Sequence, residues 1–156
     1  MQIKKIAGFL IVITLMVVAC SPEIKLENTL TKDGGRWNID EVRVVSTTQL
    51  DPPVVTEFAA DNQGEILFYE SGSGILISLD TAINQLVADY FEWENTASTI
   101  LLNFEDGLEQ EYNIEEKSKD EQVWTREESI VNEVTNIVTV INTQITISRV
   151  NEISNK

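Results

Sequence analysis

Apolar and polar residues alternate on both sides of Glu105-Asp106-Gly107, and this period of two dictates an antiparallel hairpin. Successive side chains on a strand point to opposite faces, so the loop length decides which residues share a face. A two-residue Asp106-Gly107 loop would set Phe104 opposite Glu109 and Leu102 opposite Glu111, mixing charge into an apolar surface. A three-residue Glu105-Asp106-Gly107 loop instead collects Ile100, Leu102, Phe104, Leu108, Gln110, Tyr112 and Ile114 on one face. Thr99, Leu101, Asn103, Glu109, Glu111 and Asn113 then fall on the other. A one-residue slip would exchange the faces, so burial selects the three-residue register. Gly107 takes the left-handed position of the bulged loop, and the Ile100 face is expected to point inward.

The same pattern runs along most of the chain. β-Branched and aromatic residues are abundant, and no long stretch holds a 3.6-residue period. Candidate strands are 36–46, 54–59, 65–70, 75–79, 90–94, 98–104, 108–115, 122–128 and a final segment within 136–150. Turn residues separate them: Asp51-Pro52-Pro53, Asp61-Asn62-Gln63-Gly64, Ser71-Gly72-Ser73-Gly74 and Glu105-Asp106-Gly107. Segment 81–89 reads as a short helix or a loop. The final segment places Ile137, Thr139, Ile141, Thr143, Ile145 and Ile147 on one face, as one long bent strand or two strands turning near Asn142-Thr143. These features predict an all-β fold, a β-barrel or a β-sandwich.

The chain begins differently. Lys4 and Lys5 precede an apolar run, 6–18, broken only by Gly8 and Thr14. The run is shorter than the ~20 residues of a membrane span and has the layout of a secretory signal. It ends in Val17-Val18-Ala19-Cys20, which resembles the bacterial lipobox. That resemblance implies cleavage before Cys20 and diacylglyceryl modification of its thiol. It divides the chain into a signal peptide (1–19), a lipid anchor and tether (20–32, with a turn of helix near Leu26 and Leu30), a barrel (33–152) and a short tail (153–156). Several acyl chains on one N-terminus hold a protein stably on a bilayer. Ser21, where the lipobox family places an inner-membrane retention aspartate, implies the outer membrane and leaves the leaflet open.

Composition excludes several functions. Cys20 is the only cysteine, so no internal disulfide forms. The chain has no histidine, which removes Ser-His-Asp and Cys-His catalysis and His-containing zinc sites. Losing Lys4 and Lys5 with the leader would leave 9 basic against 26 acidic side chains, a charge of −17. A surface of that sign disfavours nucleic acid and electrostatic docking on anionic lipid.

Gly35-Arg36-Trp37 opens the first strong strand and resembles the Gly-x-Trp signature of lipocalins. Gly64-Glu65-Ile66-Leu67-Phe68, Phe91-Glu92-Trp93-Glu94, Tyr112-Asn113-Ile114 and Ile147-Ser148-Arg149 are similar to lipocalin-like domains in lipoproteins of Bacteroidetes-type bacteria. The likeness spans 31–152 and implies an antiparallel up-and-down β-barrel of about eight strands, with a β-sandwich as the alternative. It implies that Trp37 closes one barrel end with Arg149 stacked across it, a cation–π contact. It further implies an interior cup, for which Phe68, Trp93, Phe104, Tyr112 and Trp124 are the candidate lining residues. An eight-stranded barrel is either filled by side chains or holds one small ligand.

Other constellations are weaker. Glu92/Glu94, Glu109/Glu111, Glu115/Glu116 and Glu127/Glu128 are carboxylate pairs, and a glycosidase needs two acids facing across a cleft. Phe91 and Trp93 take the opposite face from Glu92 and Glu94, which makes a solvated outer face the expectation. The EF-hand pattern is absent, and no phosphate-binding Gly-rich loop precedes a helix. Asp80-Thr81-Ala82 resembles the O-glycosylation site of exported Bacteroidetes proteins, which makes Thr81 a candidate where exposed. The reading is a monomeric, lipid-anchored, non-catalytic barrel without metal or cofactor. Its partners are the membrane, through Cys20, and a small apolar or amphipathic ligand; no nucleic-acid partner is expected. The alternative is a filled barrel that docks on another envelope protein.

Overall fold

The computed structural model describes residues 21–80 and 83–150. Its strands are β1 Arg36–Thr48, β2 Val54–Phe68, β3 Ser73–Asp80, β4 Gln85–Asn95, β5 Thr99–Phe104, β6 Glu109–Ser118, β7 Glu121–Val131 and β8 Val138–Arg149. Each pairs antiparallel with its chain neighbours, and β8 returns to β1, so the sheet closes as an up-and-down barrel. Closure leaves no sheet edge at the level where all eight strands meet.

The central hairpin has the expected register. Ile100 pairs with Tyr112 and Leu102 with Gln110. The Phe104 amide donates to the Leu108 carbonyl at 2.9 Å, and Gly107 has φ 88°. Asp106 Oδ1 locks the loop by accepting from the Leu108 amide at 2.9 Å. Ile100, Leu102 and Tyr112 are buried, whereas Leu108, at the rim, is exposed. The final segment is a single strand, with Ile147 fully buried and Ile145 packed on the core.

Three local expectations change. Segments 54–59 and 65–70 are one strand, β2, and the polar residues between them form a bulge instead of a turn. Gly64 stands opposite Ile39 and Asp61 opposite Glu41, so Asn62 and Gln63 together face Asp40. Asn62 has φ 53° and Gly64 φ 134°. A Cβ on Gly64 would lie 1.9 Å from the Ile77 carbonyl oxygen, so only glycine lets β2 cross β3 this closely. The same turn chemistry that reverses a chain also bends a strand. Residues 85–89 of the segment read as helix or loop belong to β4, paired to β3 from Asp80–Gln85 onward.

The third change is one of extent: the turn of helix expected near Leu26 and Leu30 is longer. Pro22–Thr31 is a helix, α1. Ser21 caps it by accepting from the Ile24 amide at 3.4 Å, Pro22 occupies the first turn, and Glu23 meets the positive end of the helix dipole. Leu26 and Leu30, four residues apart on one face, are buried beneath the barrel. Asn95 Nδ2 donates to the Glu23 carbonyl at 2.9 Å and ties the helix across the end of β4. One apolar stripe of two leucines is too short to register as a helical period.

The strands differ in length, and this shapes the interior. The β2–β3 ladder covers only Gly64–Phe68 of β2, and the β6–β7 ladder stops at Thr125. Beyond these points β2, β1, β8 and β7 continue as a four-stranded wall rising past the barrel. The buried core lies in the opposite half, between this wall and α1.

Candidate functional site

The closed end starts at Trp37, which is fully buried on the first strand. Its indole Nε1 donates to the Leu30 carbonyl of α1 at 2.9 Å, so the helix and the barrel are joined at this residue. Arg149 faces Trp37 across the β1–β8 ladder, its guanidinium carbon 4.3 Å from the ring centroid. The same guanidinium donates to the Lys32 carbonyl at 2.6 Å, to the Thr29 carbonyl, and to Asp120 Oδ1 at 3.2 Å. Gly35 sits before Trp37 with φ 66°, and a Cβ there would lie 1.9 Å from the Phe68 carbonyl oxygen. Its own carbonyl accepts from the Phe68 amide at 2.9 Å. The Gly-x-Trp spacing thus serves a close crossing and a plug, with Arg149 the stacking partner.

Above the plug lies an aromatic layer. Phe68 makes edge contacts with Phe91, Trp93 and Trp124, with ring centroids 5.7, 5.4 and 5.8 Å apart. The indole N–H groups find partners within the fold: Trp93 donates to the Ser73 carbonyl at 3.0 Å and Trp124 to Gln122 Oε1 at 3.0 Å. Buried indoles satisfied in this way hold fixed orientations.

The upper half of the barrel is not filled. A cavity of about 290 Å³ sits on the aromatic layer. Trp124, Tyr112 and Ile66 form its floor and side; Val42, Leu76 and Phe104 line its walls; Gln63, Ser78 and Gln110 supply the polar groups. An apolar cavity near 300 Å³ with a few convergent polar groups is at the small end of ligand sites. A larger hollow of about 450 Å³ lies beside Arg43 and Gln144 and is lined mostly by polar side chains, Asn113, Thr125, Glu127 and Asn142 among them.

Of the five proposed lining residues, Phe104, Tyr112 and Trp124 border the cavity. Phe68 and Trp93 do not; they are consumed in the aromatic layer beneath it. Burial pushes the Tyr112 phenol up from its ordinary pKa, and the nearby Arg126 guanidinium partly offsets this. The protonated phenol donates to Gln110 Oε1 at 2.5 Å. Cys20 and Thr81 lie outside the described residues.

Two contributors escaped the sequence reading. Leu30 supplies the carbonyl that holds Trp37. Arg126 follows Trp124 by two residues and therefore points inward; the Trp124–Ile145 and Arg126–Thr143 pairs on β8 confirm the shared face. That i, i+2 relation was the available signal. Glu92 and Glu94 are exposed and alternate with buried Phe91 and Trp93, so this acid pair sits on the outer wall. Among the described residues no three metal-ligating side chains converge, and no helix is long and apolar enough to cross a membrane. No known protein-family model matches the chain, and no curated protein matches it in sequence.

Proposed function

We propose that this is a lipid-anchored binding protein of the bacterial envelope, monomeric and non-catalytic, which takes a small apolar or amphipathic molecule into its barrel. The carrying observation is the 290 Å³ cavity, lined mainly by apolar side chains and set on the aromatic layer that includes Trp124. The plugged end gives the barrel rigidity, and the unfilled end gives it room. A neutral apolar fluorophore, N-phenyl-1-naphthylamine, tests this directly. Saturable one-to-one fluorescence enhancement is expected, and Leu76→Trp, which fills the cavity, should abolish it without unfolding the chain. Equal enhancement by both proteins would place the probe elsewhere and overturn the reading.

Anchoring through Cys20 is supported by the basic, apolar and small-residue order of the leader. Cys20 directly precedes Ser21, the cap of the helix that closes the barrel, so the lipid would sit against the plugged end and the mouth would face away. An outer-membrane location fits Ser21 after the cysteine. Cys20→Ala should remove lipid labelling and membrane retention; unchanged retention would contradict the anchor.

A second reading has its own observation. Val55, Phe58, Leu86 and Val134 are 60, 59, 73 and 92 % exposed around the open end. Exposed apolar patches mark docking surfaces as well as ligand entrances. Under that reading the fluorophore fails to saturate, and Phe58→Ser releases a bound envelope protein.

A further inference from the structure

We propose that the ligand carries an oxyanion, such as a carboxylate, on its apolar body and that Arg126 receives it. This rests on the cavity reading and specifies what occupies the cavity. Among the described residues, Lys25, Lys32, Lys119 and Arg149 surround the plugged end, and Arg43 pairs with Glu57 at 2.7 Å on the outer wall. Arg149 is held in the plug, whereas Arg126 faces the interior above the aromatic layer, on the same side of β7 as Trp124.

Its position is at the boundary between apolar floor and solvent. The Asn113–Thr125 pair, continued one step, sets Arg126 opposite Tyr112, and the two side chains are within hydrogen-bonding reach. Tyr112 in turn holds Gln110, which lines the cavity. A molecule whose apolar end rests on Trp124 therefore presents its other end to the guanidinium.

Arg126 already has an acidic partner, Glu128, two residues nearer the rim on the same face. The arginine side chain is 25 % exposed and the glutamate 47 %. An ion pair this open to water is weak, so exchanging Glu128 for a ligand oxyanion costs little and returns Glu128 to solvent. On this side of the cavity the order of the two charges favours a negative head, while Asp89 stands on the inner face of β4 opposite Leu76. The cation is the deeper of the pair and adjoins the cavity through Tyr112; the anion is the outer. A positively charged head would have to pass Arg126 to reach the floor, or remain above it with its apolar tail short of Trp124. Guanidinium–oxyanion bonds are charge-assisted and bidentate where geometry allows, which favours a carboxylate over a hydroxyl of the same size.

The test uses residues 21–156, which contain the helix, the eight strands and the whole described core. Decanoate, decanol and decyltrimethylammonium compete in turn against the neutral fluorophore at neutral pH. Decanoate should displace it with a Kd about tenfold below that of decanol, and the cation should be weakest. Arg126→Gln should bring decanoate to the decanol value while leaving decanol unchanged. Glu128→Gln, which removes the competing acid, should tighten decanoate further. Equal affinity for decanoate and decanol, tighter binding of the cation, or an Arg126→Gln protein that keeps the carboxylate preference would overturn the proposal while leaving the cavity reading intact. If the fluorophore itself does not bind, the cavity reading fails and this one with it.

Discussion

The Arg149 guanidinium lies 4.3 Å above the Trp37 ring, and the two residues face each other where the last strand meets the first. This contact sits at one end of the β1–β8 seam and, through the carbonyls of Thr29 and Lys32, fastens α1 beneath it. The side chain does so while only 3 % exposed. A planar fork is needed to stack and to reach carbonyls in several directions at once. Arg149→Lys keeps the charge and loses the fork, so it should destabilise the fold by about 2 kcal/mol. Urea denaturation checks this, and full stability in the lysine variant would show that charge alone matters.

Leu30 is fully buried and Leu26 nearly so, although both lie in a segment that is otherwise polar. Leu30→Ala should cost about 3 kcal/mol, the range for a large-to-small change in a packed site. Trp37 fluorescence should shift to the red as the void left by the leucine side chain loosens α1 and admits water beside the indole. A neutral substitution would mean that the helix is an ornament on a self-sufficient barrel.

How much of this was readable in advance differs by element. The hairpin around Gly107 was legible because both faces and the loop chemistry pointed to one register. The all-β fold was legible because the other strands repeat that alternation, which by itself left barrel and sandwich open. For α1 a turn near Leu26 and Leu30 was legible but its ten-residue length was not, because those two leucines alone make its apolar stripe. The bulge at Asn62–Gly64 was not, because glycine and asparagine serve turns and bulges alike. The cavity could not be read from residue types: Phe68 and Trp124 have the same chemistry, yet one lies wholly within the aromatic layer and the other also borders empty space. That distinction depends on where β2 and β7 part from their neighbours.

At Gly64 the strand passes so close to β3 that a methyl group meets the Ile77 carbonyl. Gly64→Ala should therefore cost about 2 kcal/mol or more, from the positive φ and the clash together. Because Gln63 beside it lines the cavity, fluorophore affinity should fall as well. Thermal denaturation and titration of the same variant separate the two effects.

Alkaline pH should loosen the site through Tyr112. Burial raises its folded pKa above the unfolded value of about 10, against a smaller opposing pull from Arg126. A raised phenol pKa contributes stability that is complete below about pH 10 and is lost as pH rises through the folded value. Tyr112→Phe should lose less stability over that interval than the unaltered protein. Parallel pH–stability curves for the two would remove burial of the phenol as the cause.

Occupancy of the barrel is the central claim, and native mass spectrometry of the protein recovered from its own host, with its N-terminal lipid removed, tests it most directly. A small molecule bound one-to-one, absent from the Leu76→Trp variant purified in parallel, is the predicted result. An unliganded mass for both proteins, with an envelope protein copurifying instead, would contradict it.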